Sequence, residues 1–508
     1  MSQKLSRRSV LSILGSTPGL AALPSHAQES QSPVWDLLVV GGGNAGMPAA
    51  IFAAERGARV LIIDAATQLG GTLWLSSGQM SAAGTQLQAS KGIEDSPQLH
   101  YDDIMRISEG TADPDLVRLA VFNAAATFDW LMDHGLDVHD EHPVTGTNHE
   151  PYSQARYAWG KDQGRSIIRV LNEQLQPHID AGRVSVSLRT EVTELVLTPD
   201  GSVAGVIARD EAGEVVQHSA RHTLLACGGY TANEDMFLQL EGARDFADVT
   251  YPYSQGAGIT LALTAGGSVR GGEHHLPLFG AVLASDSYPA RMIGTVRPWP
   301  PARPPWEIYV NAHGQRFLRE DIPSHHAHEN ALLEQPEERC WVIFDEAIFT
   351  RAPQLVRGSF AGPLDAEDIR LAFDSGMAMF YKADSIEQLA KAAGIDAAGL
   401  AATVADYNRG QADGRDSLGR QHLPLPIAEP PFYAVQLQSW LLTSFAGVAV
   451  DDRLRVIRED GSPVANLYAA GELLGSGQFN GRSYCGGMLV TPALTFGRLL
   501  GQKLLDFA

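Results

Sequence analysis

The sequence has few cysteines for its length. Cys227, Cys340 and Cys485 are the only ones among 508 residues, and no two of them form a Cys-x-x-Cys pair. An iron–sulfur cluster, a zinc ribbon or an attached haem needs clustered thiolates, so the sequence excludes these centres. At most one disulfide can form. We interpret Cys227, which lies in an apolar strand-forming segment, as a core residue.

Basic residues and long apolar runs are also scarce. The chain has 38 Lys and Arg against 59 Asp and Glu, which gives a formal charge of −21. This excess of negative charge argues against nucleic acid and anionic membrane surfaces as partners. Outside the N-terminus no apolar run is long enough to span a membrane, so we expect a protein that is not integral to one. The length suffices for more than one hydrophobic core.

Residues 1–27 have the pattern of a twin-arginine export signal. Arg7 and Arg8 lie in the segment SRRSVL, a mildly apolar stretch follows to Leu23, and Ser25-His26-Ala27 fits a small-x-Ala cleavage site. The alternative is a disordered tail with two chance arginines. The export interpretation predicts a bacterial periplasmic protein that folds around its cofactor before it crosses the membrane.

A dinucleotide-binding βαβ unit follows directly. Its parts are a strand-forming run over residues 37–40, Gly41, Gly43 and Gly46 in G-x-G-x-x-G spacing, a helical segment over 47–56, a second strand over 60–63, and Asp64. In such units the glycines allow a tight turn and a close approach of the backbone to a pyrophosphate, which lies at the helix N-terminus. The acid at the end of the second strand binds a ribose hydroxyl.

The segments around this unit resemble the FAD-binding domain of the fumarate reductase and succinate dehydrogenase flavoprotein superfamily, which includes the 3-ketosteroid dehydrogenases. The segments that carry the resemblance are Gly70-Gly71-Thr72, Ser76-Ser77-Gly78, TLLACGG at 223–229, LYAAGE at 467–472 and GGMLVTPALTFG at 486–497. The resemblance implies an α/β fold with a Rossmann-like, glutathione-reductase-like FAD-binding domain over 34–275 and 437–508. An α+β capping or substrate domain is inserted over 276–436.

The resemblance also implies which residues bind FAD. They are Gly41, Gly43, Asn44, Ala45, Gly46, Asp64, Ala65, Gly71, Thr72, Ser77, Gly78, Val192, Ala226, Gly228, Gly471, Glu472, Met488 and Leu489. Val192 is expected at the adenine, and a last helix over 495–505 is expected to direct its N-terminus at the flavin. No histidine occurs between Asp64 and Ala89, where membrane-bound members attach the flavin, so we expect non-covalent FAD.

The dicarboxylate-binding residues of fumarate reductases are largely missing. Leu278-Phe279-Gly280 replaces their His-Pro-Thr, and the position of their proton-donating arginine falls near Ser324 and His325. This argues against fumarate or succinate as the substrate. Arg303 matches an arginine on the proton path of those enzymes. Tyr157 loosely matches a catalytic tyrosine region.

Tyr484 and Arg482 precede the double glycine Gly486-Gly487, where ketosteroid dehydrogenases place an enolate-stabilising tyrosine. Alignment on the glycines puts Arg482 at that position, and Tyr484 lies two residues nearer to them. Which of the two faces the flavin stays open, as does the alternative that Tyr484 packs in the core and Arg482 pairs with an acid. For the five histidines His274, His275, His325, His326 and His328, a solvated loop is the favoured interpretation.

The sequence therefore predicts an FAD-dependent oxidoreductase that acts on a CH–CH bond next to a carbonyl or carboxylate. The expected reaction is dehydrogenation of a ketosteroid-like or other cyclic, hydrophobic small molecule, with an external quinone or cytochrome-like electron carrier. One alternative is a periplasmic enoate reductase for an unsaturated acid other than fumarate. Another is an electron-carrying flavoprotein subunit without its own turnover.

Overall fold

The computed structural model describes residues 34–146, 149–358 and 364–507, so the predicted export signal lies outside the described residues. The strands are β1 Trp35–Val40, β2 Val60–Ile63, β3 Met80–Ser81, β4 Tyr157–Ala158, β5 Val184–Ser187, β6 Thr190–Leu197, β7 Val203–Asp210, β8 Val215–Leu225, β9 Val269–Arg270, β10 Leu278–Leu283, β11 Met292–Thr295, β12 Ile308–Val310, β13 Arg339–Asp345, β14 Arg357–Gly358, β15 Phe380–Ala383, β16 Phe432–Trp440, β17 Gly447–Val448, β18 Arg455–Ile457 and β19 Pro463–Ala469.

The α-helices span Gly46–Glu55, Gln86–Ser90, Pro97–Ile107, Pro114–Asp133, Gly164–Asp180, Glu234–Glu241, Ala257–Thr264, His325–Leu333, Glu346–Arg351, Ala366–Asp374, Ile386–Ala393, Ala397–Asp413, Gly477–Asn480 and Val490–Leu499. Short 3-10 turns cover Gly71–Trp74, Gly272–His274, Pro336–Glu338 and Gly471–Leu474, and a π-turn covers Leu500–Leu504. Within the described part of the chain, no helix combines the length and apolarity needed to cross a membrane.

The first sheet is the predicted Rossmann-like sheet. Its order is β18-β19-β8-β1-β2-β5, and β1 pairs in parallel with both β2 and β8. The central strands β1 and β2 are buried along most of their length, as is usual for parallel strands covered on both faces. β6 and β7 form a hairpin that extends the sheet through antiparallel pairing with β8. The Rossmann-like α/β fold is confirmed.

The second sheet is antiparallel and is inserted between β9 and β17. Its order is β12-β13-β16-β10-β11-β14, with β15 paired to β16. It carries its own apolar core, separate from the core that covers the first sheet. Because β9 and β17 pair with each other, the chain leaves the first body and returns to it side by side. We call these two bodies the cofactor body and the second body.

The local predictions differ from the structure at the C-terminus. The last helix begins at Val490, five residues before the expected start, and becomes a π-turn after Leu499. Pro492 lies in its first turn, where a missing backbone N–H costs nothing. The helix therefore starts much closer to Gly487 than the sequence pattern indicated.

Candidate functional site

A cavity of about 650 Å³ opens at the carboxyl ends of the parallel strands of the cofactor body. Its lining includes the last residues of β1 and β2, Val40 and Ile63, and residues that follow β8 and β19, Ala226 and Gly471. In open α/β sheets this edge is where ligands bind. Cys227 also lines this cavity, so its interpretation as a plain core residue is incomplete.

The glycine turn explains why the backbone can approach a ligand there. Gly41 has φ +99°, and a Cβ on it would meet the Ala226 carbonyl oxygen at 2.4 Å. Around Gly43 the nearest atom to such a Cβ is the Gly71 Cα at 3.9 Å, so a side chain there would project into open space. The helix Gly46–Glu55 begins behind this turn without a side-chain cap. Its N–H groups and the empty space beside Gly43 fit a pyrophosphate.

Asp64 lies at the rim of the same cavity. Its carboxylate accepts hydrogen bonds from the Gly42 N–H at 2.7 Å and the Ala66 N–H at 2.8 Å. Burial raises the pKa of Asp64, and these two N–H groups oppose the shift. The carboxylate therefore stabilises the glycine turn, and its position on the cavity wall fits the expected contact with a ribose hydroxyl.

A second, smaller cavity of about 160 Å³ adjoins the first. The two cavities share the lining residues Asn44, Thr72, Tyr251, Gly471 and Glu472. Five buried polar atoms on the walls have no protein partner: Glu472 Oε1, Ser254 Oγ, Ser476 Oγ, Thr443 Oγ1 and His149 Nδ1. Buried polar groups are rarely left unpaired, so these atoms fit a polar ligand that extends along both cavities, as FAD would.

Most of the predicted FAD residues line one or both cavities. They are Gly41, Gly43, Asn44, Asp64, Ala65, Gly71, Thr72, Ser77, Val192, Ala226, Gly228, Gly471, Glu472 and Leu489. Ala45, Gly46, Gly78 and Met488 lie behind the walls. Gly46 packs against the turn itself, since a Cβ there would lie 2.0 Å from the Gly41 oxygen.

Tyr484 projects into the smaller cavity and is only 7% exposed. Its ring stacks on His149, with 5.2 Å between the ring centroids. Burial raises the pKa of Tyr484 well above its usual value, and the negative charges of Glu329 and Glu241 add to this. The hydroxyl therefore keeps its proton and can donate a hydrogen bond to a ligand.

Tyr157 lines the same cavity. Its hydroxyl donates to Oε1 of Gln79, which directly follows the Ser76-Ser77-Gly78 segment. Burial raises the pKa of Tyr157 and the charge of Arg297 opposes the shift, so this phenol is also protonated near neutral pH. The structure thus brings Tyr157 and Tyr484 together on one cavity.

The two arginines predicted with them lie elsewhere. Arg482 is exposed just after Gly481, whose φ is +54°, and its backbone N–H donates to Thr111 Oγ1. An exposed guanidinium stays hydrated, so Arg482 does not reach the cavity. Arg303 is in the second body, where it forms a two-bond ion pair with Glu307 at 2.8 and 3.0 Å. Neither side chain lines the smaller cavity.

Sequence reasoning missed His149, Gln79, Thr443 and Arg297. The first three line the smaller cavity and come from different segments: Gln79 directly follows Ser76-Ser77-Gly78, whereas His149 and Thr443 belong to no motif. Burial lowers the pKa of His149 to about 3, with the charges of Arg297 and His325 adding to the effect. The His149 imidazole is therefore neutral at physiological pH, and its Nδ1 has no protein partner.

The predicted solvated loop is wrong for all five of the other histidines, because three lie on the helix His325–Leu333 and His274 and His275 are only partly exposed. His325 and His328 are buried on the inner face of the helix His325–Leu333. His275 lies between two carboxylates, with its Nδ1 3.2 Å from Glu241. Adjacent histidines on a loop look solvated in sequence because the contacts that bury them come from distant residues.

Comparisons with known proteins agree with this geometry. The family described as FAD binding domain matches residues 36–489. A probable fumarate reductase, Ifc3, of Shewanella frigidimarina is 29% identical over 500 residues, 96% of this chain and 76% of that protein. A 3-oxosteroid 1-dehydrogenase of Mycobacterium tuberculosis is 26% identical over 580 residues, 93% of this chain and 99% of that protein. The open conformation of a flavocytochrome c3 fumarate reductase superposes with a TM-score of 0.70 at 27% identity, covering 94% of this chain and 79% of that one.

Proposed function

This chain belongs to the FAD binding domain family, within the fumarate reductase and succinate dehydrogenase flavoprotein superfamily, and on that premise we propose a neutral, largely apolar substrate for it. It is an FAD-dependent oxidoreductase of the class that acts on CH–CH bonds. The proposed reaction removes hydrogen from a CH–CH bond next to a carbonyl, with FAD as the hydride acceptor.

The observation that carries this proposal is the chemistry of the smaller cavity. Apart from Glu472 on the wall shared with the larger cavity, its described polar lining consists of neutral groups, among them the hydroxyls of Tyr157 and Thr443, the Gln79 amide and the His149 imidazole. Apolar side chains such as Leu278 and Leu442 complete the wall, and neither Lys nor Arg occurs among the described residues that line it. A dicarboxylate would lose its hydration there without gaining a cationic partner, which costs several kcal/mol.

Tyr484 has the properties of an enolate-stabilising donor. Loss of hydride and of a proton from adjacent carbons forms the new double bond, and charge develops on the activating carbonyl oxygen. A protonated phenol buried in a low-dielectric wall stabilises such charge through a short hydrogen bond. His149 stacks on the same ring, and its neutral imidazole is available as a second hydrogen-bonding group.

A second candidate is reduction of an unsaturated acid. Arg297 supports it, because its positive charge acts on both His149 and Tyr157 although its side chain is not in the cavity wall. A substrate with one carboxylate could reach toward this guanidinium. The variant Arg297→Met separates the candidates: KM rises about tenfold or more for an acid that pairs with the guanidinium, and stays within about twofold for a neutral ketone.

We also propose export through residues 1–27, non-covalent FAD, and an external quinone or cytochrome-like electron carrier. Heat or acid should release intact FAD into the supernatant, and flavin that stays on the denatured chain would refute non-covalent binding. N-terminal sequencing of protein from a periplasmic fraction should begin at Gln28.

A substrate panel tests the reaction itself. Anaerobic holoenzyme is mixed with saturated cyclic ketones, with mono-unsaturated acids and a reduced dye, and with fumarate and the same dye. Flavin reduction by a cyclic ketone supports the proposal, and rapid fumarate turnover contradicts it. If no compound reacts while the flavin exchanges electrons with redox dyes, the chain acts as an electron-carrying subunit.

A further inference from the structure

One buried carboxylate joins the segments that build the smaller cavity. We call this cavity, lined by Tyr157 and Tyr484, the substrate cavity, and the larger one, lined by Gly41 and Asp64, the cofactor cavity. The Glu241 side chain is fully buried at the C-terminal end of the helix Glu234–Glu241. Its Oε1 accepts hydrogen bonds from the Phe445 N–H at 2.7 Å and the Ala446 N–H at 3.2 Å. The Tyr230 hydroxyl donates to the same oxygen. Three donors on one buried oxygen make this a specific structural contact.

The other oxygen of Glu241 reaches a second segment. His275 Nδ1 lies 3.2 Å from Oε2, and His275 Nε2 lies 3.9 Å from a Glu338 oxygen of the second body. Glu338 in turn accepts a hydrogen bond from Ser439 Oγ at 2.6 Å. His275 thus bonds to Glu241 and lies beside the Glu338 carboxylate of the second body.

These contacts involve the two segments in which the chain crosses between the two bodies. The outgoing crossing, residues 271–277, contains His275, and the return crossing, residues 441–446, contains Phe445 and Ala446. Tyr230 follows the Gly228-Gly229 turn, whose Gly228 lines the cofactor cavity. One side chain therefore links both crossings to the wall of the cofactor cavity.

The return crossing also builds the substrate cavity. Leu442 and Thr443 line it, and the Phe445 ring lies 6.0 Å from the Tyr484 ring and 5.4 Å from His275. Residues two and three positions from the Phe445 amide have little freedom to move once that amide is fixed. The position of Thr443, and the packing behind Tyr484, thus depend on the bond to Glu241.

We propose that Glu241 is a positioning residue that fixes the return crossing against the cofactor body and so places Thr443 and Tyr484 at the substrate cavity. The expected effect of Glu241 on the catalytic rate rests on the proposed function. Its expected effect on the position of the return crossing does not. What matters is the length of the side chain, which places an acceptor oxygen next to two backbone N–H groups. The negative charge of the carboxylate is of secondary importance.

Two conservative variants separate the effect of side-chain length from the effect of side-chain charge. Glu241→Asp keeps the charge but withdraws the acceptor by one methylene, whereas Glu241→Gln keeps the reach of one acceptor oxygen and removes the charge. Hydrogen–deuterium exchange of the Phe445 and Ala446 amides is measured on the holoenzyme, together with FAD content, kcat and KM. Asp416→Asn is the matched control, because Asp416 is also buried, pairs with Arg316 and accepts from the Leu418 and Arg420 N–H groups, but lies in the second body.

The expected result is that Glu241→Asp speeds exchange of these amides by about tenfold or more and lowers kcat by a similar factor, with FAD retained. Glu241→Gln should stay within a few-fold of wild type in both, and Asp416→Asn should change neither. Greater loss in Glu241→Gln than in Glu241→Asp would overturn the proposal, as would unchanged exchange in Glu241→Asp. If the wild type oxidises no substrate in the panel, the proposed function fails and the exchange data alone decide the role of Glu241.

Discussion

The cofactor cavity and the substrate cavity share a wall but are built differently. The first is made largely of backbone, with the glycine turn at Gly41 and Gly43 and strand ends such as Ala226. The second is made of side chains, among them Tyr157 and Tyr484, that come from separate segments. A backbone site tolerates few changes in its turns, whereas a side-chain site can change its chemistry one residue at a time.

The largest effect should come from blocking the backbone site. Gly41→Val places a branched side chain where a Cβ already lies 2.4 Å from the Ala226 oxygen, at φ +99°. We expect protein without bound flavin, or no folded protein, measured as flavin absorbance per chain. Gly57→Ala is the control, because Gly57 has φ +88° but no atom within 4 Å of its Cβ. FAD loss in the control as well would mean that backbone strain alone decides binding.

Breaking the side-chain site should leave the cofactor in place. Tyr484→Phe removes the hydroxyl and keeps the ring that stacks on His149. We expect full FAD content and a fall in kcat of about 10²–10³-fold, the usual cost of losing one such donor. Arg482→Met serves as the comparison, and its rate should stay within about twofold because the side chain is exposed. Equal losses in both variants would contradict the assignment.

The pH dependence of FAD binding tests the wall that the cavities share. Burial raises the pKa of Glu472 to about 7. Hydrogen-bond donors of FAD favour the ionised carboxylate, so below pH 7 binding must first remove a proton. We expect FAD affinity to rise several-fold between about pH 6 and pH 8 and then level off, measured by titration of the apoprotein. In Glu472→Gln the profile should be flat, and an affinity that falls with rising pH would contradict the prediction.

The smallest effect concerns His149. Its pKa of about 3 in the folded protein lies below the ordinary value of 6.5. The unfolded chain therefore binds this proton first as pH falls, and the folded state loses stability between pH 6.5 and 3. His149→Gln should reduce the drop in Tm between pH 7 and pH 5. An unchanged drop in Tm would show that protonation of His149 does not destabilise the folded protein.

The backbone site was largely predictable from sequence, and the side-chain site was not. G-x-G-x-x-G, the following helix and Asp64 are contiguous, so local rules locate the cofactor turn. Tyr484 was predicted only as one of a pair with Arg482, because sequence alone does not show which of two residues after the turn at Gly481 faces inward; in the structure Arg482 is exposed and Tyr484 is buried. His149 lies in a loop without periodicity, and only tertiary packing brings it to Tyr484. The last helix begins five residues before its predicted start, with Pro492 in its first turn, a position that proline tolerates.

The central claim is that the substrate cavity accepts a neutral carbonyl compound which Tyr484 activates. Anaerobic stopped-flow mixing of the holoenzyme with a saturated cyclic ketone, and separately with succinate, tests it most directly. We expect that the ketone reduces the flavin, that Tyr484→Phe slows this reduction about 10²–10³-fold, and that succinate leaves the flavin oxidised. Rapid reduction by succinate, or reduction by the ketone at the same rate in wild type and Tyr484→Phe, would contradict it.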